Sequence, residues 1–272
     1  MNPVSQFQSQ CRAEIAELGQ APEIRDASLN WMTATQKFHY SYHFSALGRP
    51  IIQYPQDMVA IQELIWSIRP TLIIETGVAH GGSLILSAAS LALLDYTDTA
   101  KGRGVLDIHT STRRVVGLDI DIRAHNRAAL DAHPLRHKIT LVEGPSTDPA
   151  TVASIHEMVK PDDRVLVMLD SNHSHAHVLA ELEAYAPLVS QGSYCVVFDT
   201  IVEDLPPDIF PDRNWNVGNN PKTAVHAWLN EQGHAARTGL DGAPLRFEID
   251  QMIDNKLLIS AAPHGYLRRL GT

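Results

Sequence analysis

Thr71-Leu72-Ile73-Ile74-Glu75-Thr76-Gly77-Val78-Ala79-His80-Gly81-Gly82-Ser83 is the stretch on which the fold turns. Thr71–Glu75 is a short apolar run ending on an acid, which reads as a buried strand. Ser83–Leu94 is almost wholly apolar or small and reads as a well-buried helix. The glycines between them let the backbone turn sharply and approach a ligand closely. The helix that follows points its N-terminus at that ligand. No lysine completes a phosphate loop. Gly77 is followed by Val78, Ala79 and His80, so the dinucleotide spacing G-x-G-x-x-G is absent too. The turn instead suits a ligand carrying both an ammonium and a carboxylate, with Glu75 facing the first and the helix start facing the second. Gly77, Ala79, Gly81, Gly82 and Ser83 are the candidate contacts. An ordinary strand-to-helix turn is the alternative reading.

Four further runs outward from this unit share its character: Val115–Asp119, Ile139–Glu143, Val165–Asp170 and Tyr194–Asp199. Asp148–Val159 and His175–Val189 are amphipathic at helical spacing. Strands alternating with helices predict a parallel sheet with crossover helices. Pro55–Ile68 reads as a helix feeding the first strand, with Pro55 near its start and Pro70 stopping it. Near the end, Leu245–Ile249 and Lys256–Ala261 flank Asp250–Asn255 and are expected to form a hairpin, an antiparallel edge on the parallel sheet. Residues 1–50 stand outside the strand pattern. Ala13–Gly19 and Asn30–Phe38 suggest short helices, a lid or packing arm on a main domain at 51–272. Asp204–Asn220 is rich in Pro, Asp and Asn and reads as a long functional loop.

Composition narrows the partners. The chain has 272 residues, and 22 Lys plus Arg against 31 Asp plus Glu leave a net charge of −9. That sign disfavours nucleic acid and anionic membranes. The longest apolar stretch, Leu84–Leu94, is too short to span a bilayer. The two cysteines, Cys11 and Cys195, form neither a disulfide framework nor a zinc pattern, which fits a reducing cytoplasm.

The chemistry gathers at strand ends. Asp119, with Asp121 behind it, ends the second strand, where a nucleoside ribose is bound through its hydroxyls. Gly144 and Ser146 follow the third strand; Ser146 either bonds a base edge or caps the next helix. The fourth strand runs into Asp170-Ser171-Asn172-His173-Ser174-His175-Ala176-His177. There Asp170 is a site acid and His173 a general base. His173 and His177 share a face if the helix starts early. Asp199 ends the fifth strand; beside Asp170 it would make a hard-cation site.

With these residues placed, the chain resembles the cephalosporin hydroxylase and rhamnosyl O-methyltransferase family from about Pro50 to Leu267. The resemblance is carried by Ile74–Ser83, Leu169–Leu179, Gly192-Ser193-Tyr194, Gly218–Val225 and the closing Pro263–Leu267, in that order. It implies a Rossmann-like class I methyltransferase with a mostly parallel seven-stranded sheet, an antiparallel C-terminal hairpin and S-adenosylmethionine at the first three strand ends. It further implies Mg²⁺ near the acceptor, a sugar or natural-product hydroxyl as that acceptor, and a homo-oligomer. One position departs from the family: Phe198 stands where the first of two adjacent acids is usual, which leaves Asp199, with Glu203 or Asp204 as a replacement ligand. The expected reaction is an SN2 methyl transfer to oxygen, with His173 taking the proton. Trp31 and Trp215 are candidates to stack on a sugar ring, and Asn220 and Lys222 either order their loop or touch the acceptor. Two readings from other classes stay open: a nicotinamide-dependent oxidoreductase, and a non-catalytic S-adenosylmethionine-binding partner of a second enzyme.

Overall fold

A computed structural model describes residues 2–231 and 237–271. Two helices open the chain, α1 (Pro3–Leu18) and α2 (Pro22–Gln36), each with proline in its first turn. A small hairpin, β1 (Phe44–Ala46) and β2 (Arg49–Ile51), precedes α3 (Pro55–Ile68). The main unit then alternates: β3 (Leu72–Thr76), α4 (Gly82–Gly102), β4 (Arg114–Asp119), α5 (Ala124–Asp131), β5 (Ile139–Glu143), α6 (Pro149–Glu157), β6 (Val165–Leu169), α7 (His175–Tyr185) and β7 (Tyr194–Val197). It closes with α8 (Pro221–Asn230), β8 (Phe247–Ile249), α9 (Gln251–Leu257) and β9 (Tyr266–Arg269).

Seven strands form one sheet in the order β5-β4-β3-β6-β7-β9-β8. The first five of that order pair in parallel, and β9 runs antiparallel to both β7 and β8. Both faces are covered, so successive strand residues enter opposite cores. Ile73, Leu166, Met168 and Val196 pack with α3 and α4. Leu72, Ile74, Val167 and Cys195 pack with α7 and α8. This explains why the strands read as continuous apolar runs rather than alternations.

The chain runs outward from β3 to β5 and then returns to lay β6 on the other side of β3. Ligand crevices of open α/β sheets form at such a reversal, outside the carboxyl ends of the strands. The two strand ends approach closely there. Gly77 has φ +89, and a Cβ on it would fall 1.9 Å from the Asp170 carbonyl oxygen.

Several boundaries differ from the sequence-based expectation, each for a local reason. Helix α4 continues two turns past Leu94 because Asp95 and Asp98 pair with Arg113, Lys138 and Arg69. The C-terminal hairpin is a correction. Asp250 accepts from the Met252 and Ile253 amides and nucleates α9, so Lys256–Ala261 is no strand and the partner of β8 is Tyr266–Arg269. The β1–β2 hairpin was unforeseen; its turn residues Leu47 and Gly48 both have positive φ, the signature of a tight two-residue hairpin turn.

Helix α1 rests on α9, with Gly19 against Asn255 and Arg25 bonded to the Asn255 side chain. The β1–β2 hairpin packs on α4. Among the described residues, no helix is long and apolar enough to cross a membrane.

Candidate active site

The glycine turn is held from three sides. Asp119 Oδ2 accepts from the Val78 and Ala79 amides at 2.8 and 3.2 Å, fastening the end of β4 to the turn. Arg49 donates to the His80 carbonyl and to Asn126 Oδ1, while Asn126 donates to the Ala79 carbonyl. Gly82 lies so close to β2 that a Cβ would meet the Pro50 carbonyl at 2.2 Å. These contacts hold Ala79 at φ +45, a conformation costly for a residue with a side chain. Gly81 at the start of α4 offers no side-chain cap, and none of the described residues supplies one, so the first-turn amides remain available to an anion.

Glu75 lies beneath this turn, fully buried, accepting from the Ser83 hydroxyl through Oε1. Burial, opposed by the Ser83 bond, pushes its pKa up to about 8. Asp170 follows β6 and accepts from Gln53 Nε2 at 3.1 Å. Burial is the main influence on Asp170; with the nearby charges of Asp199 and Glu75 it raises the carboxyl well above its ordinary value.

His173 precedes α7, which begins at His175, so the expected helical face shared with His177 does not form. His173 Nδ1 lies 2.7 Å from Asp199 Oδ2. Burial opposes the imidazolium, but the charge and hydrogen bond of Asp199 outweigh it, and the pKa sits above the usual histidine value. Asp199 itself sits at φ +54, turned toward the site at the start of a 3-10 turn, Thr200–Glu203. On its other side the His173 ring meets Trp215, ring centres 5.0 Å apart, and Arg213 lies over that indole at 5.6 Å.

A cavity of about 860 Å³ runs from the glycine turn past Asp170, His173 and Asp199 to Trp215 and the loop around Asp212. Gly77, Ala79, Gly81, Gly82 and Ser83 line it, as do Gln53, Tyr54 and Tyr42. Its lining stops short of Glu75, Asp119, Asp121, Gly144 and Ser146. Asp121 is exposed, and its amide donates to Asp119. Ser146 does not cap α6, a role taken by Asp148.

Asp170, His173 and Asp199 each offer one ligand atom, all within 4.8 Å of one another. Glu203 is not brought to them: its carboxylate accepts from the Gly218 amide and the Asn220 side chain. Asp204 pairs with Lys222. Asn220 and Lys222 thus order their own loop, Asn220 through a capping box at the start of α8. Trp31 packs edge-on against Tyr40 and does not line the cavity. Phe198 is buried in the core, where it shares a small pocket with Met58, Met168 and the buried Asp57, and it does not line the cavity that Asp170 and Asp199 line.

Gln53 and Arg49 were not foreseen as site residues. Their only sequence signal is a polar residue inside the apolar stretch before Pro55.

The family profile "Rhamnosyl O-methyltransferase/CmcI" matches residues 38–270. A rhamnosyl O-methyltransferase of Mycobacterium tuberculosis is 28% identical over 215 residues, 78% of this chain and 73% of that protein. The Mycobacterium leprae rhamnosyl O-methyltransferase is 26% identical over 224 residues, 82% of each. A structure described as CmcI with Mg and S-adenosylmethionine is 21% identical, with a TM-score of 0.49 over 85% of this chain and 78% of that one. The chain belongs to the rhamnosyl O-methyltransferase/CmcI family, a family of O-methyltransferases.

Proposed function

We propose that the protein transfers a methyl group from S-adenosylmethionine to a hydroxyl of a sugar or glycoside, with His173 as the base. The observation that carries this reading is the Asp199–His173 pair, 2.7 Å apart, beside Asp170 in the cavity that begins at the glycine turn.

S-adenosylmethionine supplies the electrophilic methyl when bound. The chain's residues suit it: the uncapped start of α4 suits a carboxylate, Glu75 an ammonium, and Asp119 a ribose hydroxyl pair. An alcohol is a poor nucleophile while protonated. The bond to Asp199 holds the proton on His173 Nδ1, which leaves Nε2 as the acceptor for the hydroxyl proton. Asp199 then stabilises the imidazolium. Trp215 fixes the ring plane, so the base meets the hydroxyl in one orientation.

Asp170 and Asp199 fit a divalent cation such as Mg²⁺. The negative charge crowded around Asp170 is what such an ion relieves, and two carboxylates plus waters are an ordinary hard-cation donor set. Bound there, the ion would lower the pKa of the acceptor hydroxyl. Tyr42, Phe210 and Trp215 offer apolar ring surfaces to a sugar, and Gln36, Asn214 and Asp212 offer polar partners to its hydroxyls.

The test is titration calorimetry with S-adenosylmethionine, followed by methylation of a panel of rhamnosides and other glycosides. Micromolar binding with turnover is expected. His173→Ala should lower kcat by about 10²–10⁴ while leaving cofactor affinity within threefold. Binding without turnover across a broad panel would favour the non-catalytic partner. Binding of a nicotinamide cofactor instead would favour the oxidoreductase.

A further inference from the structure

A second hydrogen-bonded cluster joins the loops after β5 and β6 at the margin of the cavity, which Ser171 lines and Ser146 and His177 do not. Ser146 Oγ is 3.0 Å from His177 Nε2, and Ser171 Oγ is 3.1 Å from the same nitrogen. The Ser171 hydroxyl donates to Glu181 Oε1 at 2.7 Å, and Glu181 is fully buried. Tyr185 donates to the Ser146 carbonyl at 2.5 Å and pins its backbone.

Counting protons assigns the roles. A hydroxyl has one proton to donate. That of Ser171 goes to Glu181, so at its contact with the imidazole Ser171 can only accept. His177 therefore carries its proton on Nε2 and donates. Ser146 Oγ lies within reach of the same N–H and accepts from it too. Its own proton is then uncommitted, because the helix-capping role belongs to Asp148. The cluster thus converts an adaptable hydroxyl into a fixed donor.

We propose that His177, held by Ser171 and Glu181, is a positioning residue that makes Ser146 a dedicated donor to the N1 edge of the cofactor's adenine. The proposal rests on the S-adenosylmethionine reading above. The Gly144 amide donates to the Asp119 carbonyl at 2.9 Å, so the Ser146 loop adjoins the ribose candidate and lies one strand further out. A base attached to a ribose at Asp119 presents to that loop the edge remote from the sugar. On that edge N1 of adenine is an acceptor. His177 acts through Ser146 and need not touch the ligand.

The test compares S-adenosylhomocysteine with its 1-deaza analogue, in which N1 is replaced by C–H, by calorimetry on the full chain. Wild type should bind the natural base about 10- to 100-fold more tightly, the usual penalty for leaving a fixed donor unpaired. Ser146→Ala and His177→Phe should bring that ratio within about threefold of unity. His177→Gln, which restores an N–H donor, should recover most of the ratio. A purely structural role for His177 would weaken both ligands alike and leave the ratio untouched. Tight binding of S-adenosylhomocysteine with a wild-type ratio of unity, or a ratio unchanged in Ser146→Ala and His177→Phe, overturns the inference alone. No binding to folded wild type overturns the methyltransferase reading and the inference with it.

Discussion

Glu75→Gln removes a charge that the fold accommodates poorly. The Glu75 carboxyl is fully buried in the middle of the sheet, and its Oε2 has no hydrogen-bond partner among the described residues. Burial, countered by the Ser83 hydroxyl, lifts its pKa from 4.5 to about 8. Unfolding returns the group to water and to its ordinary value. Because the folded-state pKa is the higher one, the stabilising contribution is complete below pH about 4.5. It is lost as pH climbs through about 8, since the unfolded chain sheds the proton first. At 1.36 kcal/mol per unit, the whole window is worth about 5 kcal/mol. Glutamine has nearly the same shape, can accept from Ser83 and has no proton to lose. Urea unfolding of both proteins between pH 5 and pH 9 isolates the effect, because all other groups titrate alike in the two. The stability of the variant relative to wild type should rise with pH by several kcal/mol, nearly all of it by pH 9. A difference flat to within about 1 kcal/mol would refute the claim that Glu75 is protonated in the folded protein. If the ligand's ammonium comes to rest near Glu75, cofactor binding at pH 7 should also release a proton, seen as a buffer-dependent binding enthalpy.

Two further substitutions probe how the site is held. Arg49→Ala removes the donors to the His80 carbonyl and to Asn126, and should weaken cofactor binding about tenfold while leaving the KM of the acceptor unchanged. Arg49→Lys should not rescue it, because an ammonium cannot reproduce a forked contact. Phe198→Glu places a carboxylate in the apolar core, away from the cavity that Asp170 and Asp199 line; it should destabilise the protein by about 3 kcal/mol and leave Mg²⁺ affinity within about threefold. Magnesium titration and thermal melts check both effects, and Mg²⁺ binding tightened tenfold or more would show that a side chain at this position does reach the cation.

What could be read before the structure, and what could not, follows from how each residue reaches its place. Strands β3 to β7 were legible because both faces of the sheet are covered, which forces consecutive apolar residues, and Asp119, Asp170 and Asp199 were legible because parallel strands all deliver their carboxyl ends to one edge. The C-terminal region misled for the same reason in reverse. Ile253 and Leu257 bury one side of a seven-residue helix, too short to display its period, and the helix is set by the Asp250 cap rather than by its pattern. The β1–β2 turn was hidden because Leu47, not Asn or Gly, takes its first left-handed position.

The supporting residues of the site were hidden by a more general cause. Gln53 reaches Asp170 across 117 residues and Arg49 reaches Asn126 across 77, so no local window contains both partners. The same holds for His173: its residue type alone suggests a base, while the sequence offers Asp199 only as a metal ligand. The structure shows Asp199 within bonding distance of the imidazole and within ligand distance of Asp170, so a single carboxylate serves two candidate tasks. With Phe198 turned into the core, no neighbouring acid in β7 shares that load. Any gain in holding a cation must therefore be drawn from the bond that orients His173, and a substitution that relieves Asp199 of one task should strengthen the other.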